Sequence, residues 1–244
     1  MTTAFSRISR EYDDLWLLTE GYRDWMLKKI LEHLKIHTDS KFADLGGGSG
    51  LFTHLLKEGV PLESDAICVD PSEAMLLNAG QYRGLQTYCE SAEVFAQRQM
   101  PLNRILIKES IHHIRNRQGF WKEISSGLTP NGRILVVTRP SLPGFPLFKR
   151  AMTAFSESQP ELEVLLDEIS TSGLSAVTNT EEYHVEIPKE RWYTMLRARF
   201  MSSLTSFTPD EIEQGILEVD GQLDGDQIRF TDRVFFVVIQ HKTK

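Results

Sequence analysis

The fold class of this chain follows from one stretch, Asp44-Leu45-Gly46-Gly47-Gly48-Ser49-Gly50. A short apolar segment, residues 41–45, predicts a buried strand that runs into it, and residues 51–57 predict a helix directly after it. A strand that ends in glycines and continues into a helix presents backbone N–H groups to a ligand at the helix N-terminus. Leu51 stands where the dinucleotide fingerprint has its third glycine, so the stretch predicts a ligand site and argues against a dinucleotide.

Alternating strand and helix patterns continue on the C-terminal side of the glycine-rich stretch. Further strands are predicted at residues 65–70, 85–89, 103–108 and 133–138, with helical segments between them. This alternation predicts a parallel sheet with helices on both of its faces. The apolar run at 233–240 predicts one more strand, buried on both sides.

The remaining segments complete a single-domain organisation. Helices are predicted over residues 15–35, 147–172, 189–203 and 208–219, and an extended segment is predicted over 174–187. We therefore expect one domain of 244 residues made of four parts. These are an N-terminal helical lid (1–38), a cofactor-binding core (39–140), a substrate cap with a late strand (141–230) and a final strand (231–244).

Composition and charge restrict the classes of partner that the chain can bind. The formal net charge is −7, and Lys and Arg form no longer run than the pair Lys28-Lys29, which argues against binding to nucleic acid. Two cysteines give no disulfide framework, and no spacing of metal ligands is present. The charged first residues do not read as a signal peptide, and no segment is long and apolar enough for a membrane span. We expect a cytoplasmic protein that binds a small-molecule substrate.

Asp70 is the second residue that indicates a ligand site. It ends the second predicted strand, at the sheet edge where open α/β sheets bind their ligands. A carboxylate there can accept hydrogen bonds from both hydroxyls of a ribose, in nucleoside cofactors of more than one class. The alternative is a structural contact with the N-terminus of the helix that Ser72 is predicted to cap.

Four stretches occur together in a recognisable order and spacing. They are residues 42–50 (FADLGGGSG), 66–75 (AICVDPSEAM), 105–114 (ILIKESIHHI) and 128–138 (LTPNGRILVVT). This pattern resembles the class I S-adenosylmethionine (SAM)-dependent methyltransferases, specifically the broad methyltransferase type 11 group. A weaker resemblance over roughly residues 190–216 is to its small-molecule enzymes, including relatives of the trans-aconitate enzyme.

The resemblance implies a fold and a reaction. The fold is α/β, a Rossmann-like, doubly wound, seven-stranded sheet whose last strand is antiparallel, with an N-terminal helical lid and a late helical cap. The reaction is methyl transfer from SAM to a small molecule, which leaves S-adenosyl-L-homocysteine (SAH) as the product. A carboxylate-bearing acceptor is one expectation for the substrate.

The resemblance also implies which residues hold SAM. Carried over by position, they are Asp44, Gly46, Gly47 and Gly48 at the methionine half, Asp70 at the ribose, Pro71 and Met75 beside the ribose and adenine, and Lys108 through its backbone carbonyl. In related enzymes an N-terminal helix folds over the cofactor, where Tyr12 and Arg23 could bind the SAM carboxylate.

The adenine contact departs from the family pattern. The family usually has an acid followed by a small residue after the third strand, and this acid reads the adenine amine. Alignment on Ala92 places Ser91 at the acid position. Glu90 takes that position if the alignment shifts by one residue, so both residues stay candidates.

Two adjacent histidines, His112 and His113, are the candidate catalytic residues. They follow the fourth predicted strand, and an imidazole titrates near neutrality, so either could remove a proton from the acceptor. Adjacent side chains diverge, so at most one is expected to face the substrate. Glu109 is a rival base, for which we favour the interpretation of a solvated acid at a helix start.

Aromatic and basic residues elsewhere are the candidate substrate contacts. They are Trp16, Tyr22, Arg139, Trp192, Arg197 and Arg199. If one of the three arginines faces the pocket, an anionic acceptor such as a carboxylate or phosphate follows. The alternative for each arginine is a surface salt bridge.

Other functions fit the sequence less well. One alternative is a catalytically silent SAM-binding subunit that supports a partner protein, although the motifs are intact. Another is a methyltransferase that acts on protein or RNA, which a basic groove would favour and the acidic net charge disfavours. A nicotinamide-dependent reductase is disfavoured by Leu51 and by the lack of a Tyr-x-x-x-Lys pair.

Overall fold

A computed structural model describes residues 19–242 of the chain. The strands are β1 (Phe42–Leu45), β2 (Ala66–Val69), β3 (Leu85–Tyr88), β4 (Leu102–Lys108), β5 (Leu128–Thr138), β6 (Leu174–Pro188) and β7 (Gln227–His241). The helices are α1 (Glu20–Leu34), α2 (Leu51–Gly59), α3 (Glu73–Ala79), α4 (Ala92–Ala96), α5 (Arg117–Gly127), α6 (Lys149–Ser158), α7 (Leu162–Thr171), α8 (Lys189–Arg197) and α9 (Pro209–Asp220). Short 3-10 turns occupy Ile111–His113 and Ser202–Leu204.

The strands form one sheet in the order β3-β2-β1-β4-β5-β7-β6. Strands β1 to β5 are parallel to one another, whereas β7 runs antiparallel to both β5 and β6. The predicted seven-stranded, doubly wound α/β fold with an antiparallel last strand is confirmed. Because β1, β2, β4 and β5 end at the same edge of the sheet, the residues that follow them can share one site.

Helices cover both faces of the sheet and bury its apolar strands. On one face, α1, α2, α6, α8 and α9 pack around a cluster that includes Met26, Leu135 and Trp192. On the other face, α4, α5 and α7 pack around a cluster that includes Trp121 and Leu165. Double coverage explains the nearly continuous apolar runs of β1 and β2, whose residues are all buried.

Several predicted boundaries in the second half are wrong in detail. The helix predicted over 147–172 is two helices, because Pro160 lacks the N–H group that would continue the first one. The helix predicted over 189–203 ends at Arg197, and Arg199 then adopts a left-handed backbone with a φ of 51°. Strand β7 begins at Gln227, well before 233, because it pairs with β6 along the whole length of that strand.

Capping side chains define the starts of two helices. Ser72 caps α3 by accepting a hydrogen bond from the Met75 N–H at 3.4 Å. Thr208 and Glu211 form a capping box at the start of α9, where Pro209 occupies the first turn. Among residues 19–242, no helix combines the length and apolar character needed to cross a bilayer. The division into lid, core and cap stays a prediction.

Candidate functional site

A pocket of about 520 Å³ opens at the carboxyl ends of the parallel strands. Its walls are formed by residues that follow β1, β2, β3 and β4, so it spans four adjacent strands of the sheet. Ten of the predicted cofactor residues line it, namely Asp44, Gly46, Gly47, Gly48, Asp70, Pro71, Met75, Ser91, Ala92 and Lys108. The fold therefore brings into one cavity ten residues that are spread over more than sixty positions of the sequence.

The glycine-rich turn forms the floor of the pocket between β1 and α2. Gly46 has a φ of 82°, and a Cβ atom there would collide with the side chain of Ser110. Its N–H group donates to the Val69 carbonyl at 2.7 Å, which ties the turn to the end of β2. Only glycine satisfies both the left-handed backbone and the close approach of Ser110.

Asp44 is a buried carboxylate beneath the turn. Its side chain accepts a hydrogen bond from the Thr53 hydroxyl at 2.7 Å and lies on the pocket wall. Burial raises the pKa of Asp44 to about 6, although the Thr53 hydrogen bond and the positive charge of Lys108 act in the opposite direction. A cationic ligand group beside Asp44 would favour its ionised form.

Asp70 extends from the end of β2 into the pocket and is fixed by two backbone donors. The Gly48 N–H donates to Oδ2 at 3.0 Å and the Ser72 N–H donates to Oδ1 at 2.8 Å. A carboxylate offers about four acceptor positions, so each oxygen keeps capacity for a ligand hydroxyl. The contact with the start of α3 and a ribose-binding role are thus compatible. Burial raises the pKa of Asp70, and the two N–H donors oppose that shift.

At the β3 end of the pocket, the two candidates for the adenine contact differ in position. Ser91 lines the pocket, and its Oγ accepts a hydrogen bond from the Val94 N–H at 3.3 Å as the cap of α4. Glu90 is not among the lining residues. It forms a two-point ion pair with Arg98 at 2.6 and 2.9 Å. The structure therefore brings Ser91 to the site and directs Glu90 to a surface partner.

The two candidate histidines, His112 and His113, differ in their position relative to the pocket. His113 is exposed and lines the pocket, whereas His112 is half-buried beside it, with ring centroids 4.1 Å apart. Burial, with a smaller effect of His113, lowers the pKa of His112 to about 3, so His112 is neutral at physiological pH. Its Nε2 lies 3.5 Å from the Ser202 hydroxyl. Of the pair, His113 is the side chain that a substrate in the pocket would meet.

The three candidate substrate arginines do not reach the pocket wall. Arg139 is buried, with a side chain only 3% exposed, and it binds Asp232 and Glu109. Arg197 is a surface residue and pairs with Glu213. These placements correct the expectation of an anion site built from arginine, because each guanidinium is directed to a partner within the protein.

The other candidates need the same correction. Arg199 donates to the Phe207 carbonyl at 2.9 and 3.0 Å. Trp192 is completely buried and donates its indole N–H to the Pro146 carbonyl at 3.0 Å, so it is a core residue. Tyr22 is buried too, with its hydroxyl bound to Asp232. Tyr22 and Trp192 are buried because a large aromatic side chain is more stable in the core than in contact with water.

The predicted N-terminal contacts are only partly described. Arg23 lies on α1, pairs with the neighbouring Asp24 at 3.2 Å and does not line the pocket. Tyr12 and Trp16 lie outside the described residues. Their proposed contacts with the cofactor and the substrate stay predictions.

Glu109 lines the pocket, although the sequence favoured a solvated acid at a helix start for this residue. It directly follows β4 and lines the pocket, and its carboxylate lies 2.7 Å from the Arg139 guanidinium. It is therefore not a solvated acid at a helix start. The signal was available, because Glu109 follows β4 as Asp70 follows β2, and both strands end at the same sheet edge.

Residues 43–134 match the family model of a methyltransferase domain. The matched range covers less than half of the 244 residues and includes all of strands β2, β3 and β4. Every residue that lines the pocket lies within the matched range, from Asp44 to Arg115. The pocket is therefore formed by the matched range rather than by the segments before or after it.

A curated relative of this chain is the trans-aconitate 2-methyltransferase of Yersinia pestis (strain Pestoides F). The two are 29% identical over 153 residues, which cover 62% of this chain and 58% of the relative. This chain thus matches less than two thirds of the length of that enzyme.

Two solved structures share the fold. One is a putative methyltransferase from an antibiotic biosynthesis pathway of Anabaena variabilis, with a TM-score of 0.64 and 15% identity over 89% of this chain and 97% of that one. The other is phosphoethanolamine N-methyltransferase 2 of Haemonchus contortus, in complex with phosphomonomethylethanolamine and SAH. Its TM-score is 0.57, with 16% identity over 89% of this chain and 52% of that one. At these identities the likeness concerns the fold.

Proposed function

We propose that this protein is a SAM-dependent methyltransferase that acts on a small-molecule acceptor. The observation that carries the proposal is the gathering of ten predicted cofactor residues around one pocket of the methyltransferase domain. The similar Haemonchus enzyme was solved with SAH, the product that SAM leaves after methyl transfer. The donor set fits this ligand, with a carboxylate at the end of β2 for a ribose and a glycine-rich turn beneath the methionine half.

The residues of the chain would bind and orient the donor rather than activate it. SAM supplies a methyl group on a sulfonium, which is already a strong electrophile. Asp70 would hold the ribose through the lone pairs that Gly48 and Ser72 leave available. Asp44 would face the cationic methionine end, and Ser91 would face the adenine. Holding donor and acceptor in line supplies much of the rate enhancement of such reactions.

The acceptor side of the site includes His113, which is the candidate base. Methyl transfer to a hydroxyl or an amine releases a proton. Desolvation at the pocket wall lowers the pKa of His113, so its imidazole is neutral at physiological pH and can accept that proton. A carboxylate acceptor is already ionised and needs no base.

A carboxylate-bearing acceptor is the finer candidate for the substrate. It is supported by the name of the Yersinia relative and by two cationic side chains, Lys108 and Arg115, that line the pocket. The Lys108 ammonium lies 4.3 Å from the centre of the Phe52 ring, which also lines the pocket. An acceptor carboxylate would therefore meet Lys108 rather than the three arginines of the second half.

A catalytically silent SAM-binding subunit and a methyltransferase of protein or RNA are the competing functions. The formal net charge of −7 gives no general attraction for nucleic acid. Radiolabelled SAM incubated with trans-aconitate and other small polycarboxylates separates these possibilities. Label in the small molecule supports the proposal, whereas label in added protein or RNA alone contradicts it.

Cofactor binding is tested by calorimetric titration with SAH and with NAD. We expect SAH to bind and NAD to fail, and we expect Asp70→Ala to weaken SAH binding by about 1–3 kcal/mol because buried hydrogen bonds are lost. Asp167→Ala, at an exposed position on α7, is the matched control and should bind as the wild type does. Binding of NAD without SAH would overturn the proposal.

A further inference from the structure

Four side chains from distant parts of the chain meet beside the pocket, and we call them the Arg139 cluster: Tyr22, Glu109, Arg139 and Asp232. The Arg139 Nε and Nη2 donate to the two carboxylate oxygens of Asp232 at 2.8 and 2.9 Å. Its Nη1 lies 2.7 Å from Glu109 Oε1. The Tyr22 hydroxyl donates to Asp232 at 2.8 Å and accepts from Arg139 Nη2 at 2.8 Å.

The charges within the Arg139 cluster do not cancel. One guanidinium faces two carboxylates, and Asp232 engages it in the two-point geometry that pairs the charges most completely. Burial raises the pKa of the Tyr22 phenol, which therefore stays a neutral donor. The formal charge of the cluster is then negative by one unit, and Glu109 is the member that lines the pocket.

The backbone at Glu109 is held in an uncommon conformation. Its φ is 52°, in the left-handed region that residues other than glycine rarely adopt, and its N–H donates to the Val137 carbonyl at 2.8 Å. Such a conformation is energetically unfavourable and tends to occur at functional sites. The side chain is 14% exposed, while its Oε1 is buried against Arg139. Together these contacts fix the carboxylate at the wall of the pocket.

Glu109 lies at the end of the pocket where the methyl group would be transferred. The pocket crosses the strand ends in the order β3, β2, β1 and β4. In the proposed function the adenine lies at Ser91 after β3 and the ribose lies at Asp70 after β2. The methionine half, which carries the sulfonium, then extends across β1 towards Glu109 after β4.

We propose that Glu109 is the cation-recognition residue of the methyl-donor site, held in place by Arg139. Its carboxylate binds the positively charged sulfonium end of SAM in preference to the neutral thioether of SAH. This inference rests on the proposed function and adds a specificity-determining residue to it. Because the product lacks the sulfonium charge, the same carboxylate would favour exchange of spent SAH for SAM.

The test compares two ligands that differ in charge at the methyl position. Sinefungin carries an ammonium group where the sulfonium of SAM lies, whereas SAH is neutral there. Calorimetry gives the dissociation constants of both ligands for the wild type and for Glu109→Gln, which keeps the shape of the side chain and removes its charge. We expect Glu109→Gln to weaken sinefungin binding about tenfold and to leave SAH within about twofold, as the loss of a charge-assisted hydrogen bond predicts.

Two further variants serve as controls. Glu213→Gln removes a carboxylate that is likewise paired with an arginine, Arg197, but lies on the surface away from the pocket, and it should change neither constant. Glu109→Asp keeps the charge and should bind sinefungin more tightly than Glu109→Gln does. Because SAH binding is measured on each variant, it also reports whether the pocket is folded.

The outcomes separate this inference from the proposed function. If the wild type binds neither ligand, the proposed function fails and the inference fails with it. If the wild type binds SAH, but Glu109→Gln weakens both ligands equally or neither of them, only the role of Glu109 is overturned. Tighter sinefungin binding by Glu109→Gln than by Glu109→Asp would overturn that role as well.

Discussion

The two halves of the sheet place their polar residues in different ways. In the half formed by β1 to β4, the strands are short and parallel, and the polar side chains follow their carboxyl ends. In the half formed by β5, β7 and β6, the strands are 11 to 15 residues long, and β7 is antiparallel to both neighbours. Asp232 lies within β7, and its partner Arg139 directly follows β5. The two residues are 93 positions apart in the chain.

This difference decides how far a residue's role can be inferred from its position in the sequence. In the parallel half, a residue just after a strand lies at the edge of the sheet where α/β proteins bind their ligands, although Glu90 shows that a distant partner can still turn the side chain away. In the antiparallel half, a charged residue can lie on either face or within the core, and its partner determines which. Arg139 and Arg197 illustrate the point, since one is buried in an ion cluster and the other is exposed.

The largest effect that tests this contrast is expected from Arg139→Met. Removing the guanidinium leaves Asp232 and Glu109 buried without their cation, which costs about 3–5 kcal/mol in the free energy of unfolding. Arg197→Met is the matched control and should leave the free energy of unfolding within error, because its pair with Glu213 is exposed. Urea denaturation of both variants measures the difference. Equal stability of the two would show that burial does not distinguish these arginines.

A second test concerns the turn on which the parallel half depends. Gly46→Ala forces a Cβ against Ser110 in a left-handed backbone and should cost about 2–4 kcal/mol in the free energy of unfolding. Gly173→Ala has a similar φ of 78° but meets nothing within 4 Å, so it reports the backbone strain alone, about 1–2 kcal/mol. The difference between the two variants, from urea denaturation, isolates the contact with Ser110. An equal loss in both would mean that the turn can move away from β4.

The smallest expected effect is a pH dependence at Asp44. Its pKa is about 6 in the folded chain against an ordinary value of 3.8, so between about pH 4 and pH 6 the folded state binds more protons than the unfolded state. Stability therefore falls as the pH rises through this window, by roughly 2 kcal/mol from this group. The difference in unfolding free energy between the wild type and Asp44→Asn, measured at pH 4 and pH 7, isolates the contribution. A difference that stays constant with pH would contradict the raised pKa.

Much of the first half could be predicted because its signals are local. Ser72 caps the helix that directly follows it, and the glycine-rich stretch and Asp70 each stand at the end of a predicted strand. All three lie where the sequence pattern indicated. The choice between Ser91 and Glu90 could not be made from the sequence. Glu90 is directed away by Arg98, and nothing in the alignment of motifs reports that pairing.

The sequence alone determined the class of the fold and the edge of the sheet where a ligand binds. These follow from periodicity and from glycines whose backbone conformations are local properties. Only the tertiary structure decided that Arg139 is buried in an ion cluster and that Trp192 is a core residue. Those outcomes depend on which charges and surfaces meet across the sheet, and the free energy of a buried charge is set by its partner rather than by its neighbours in the chain.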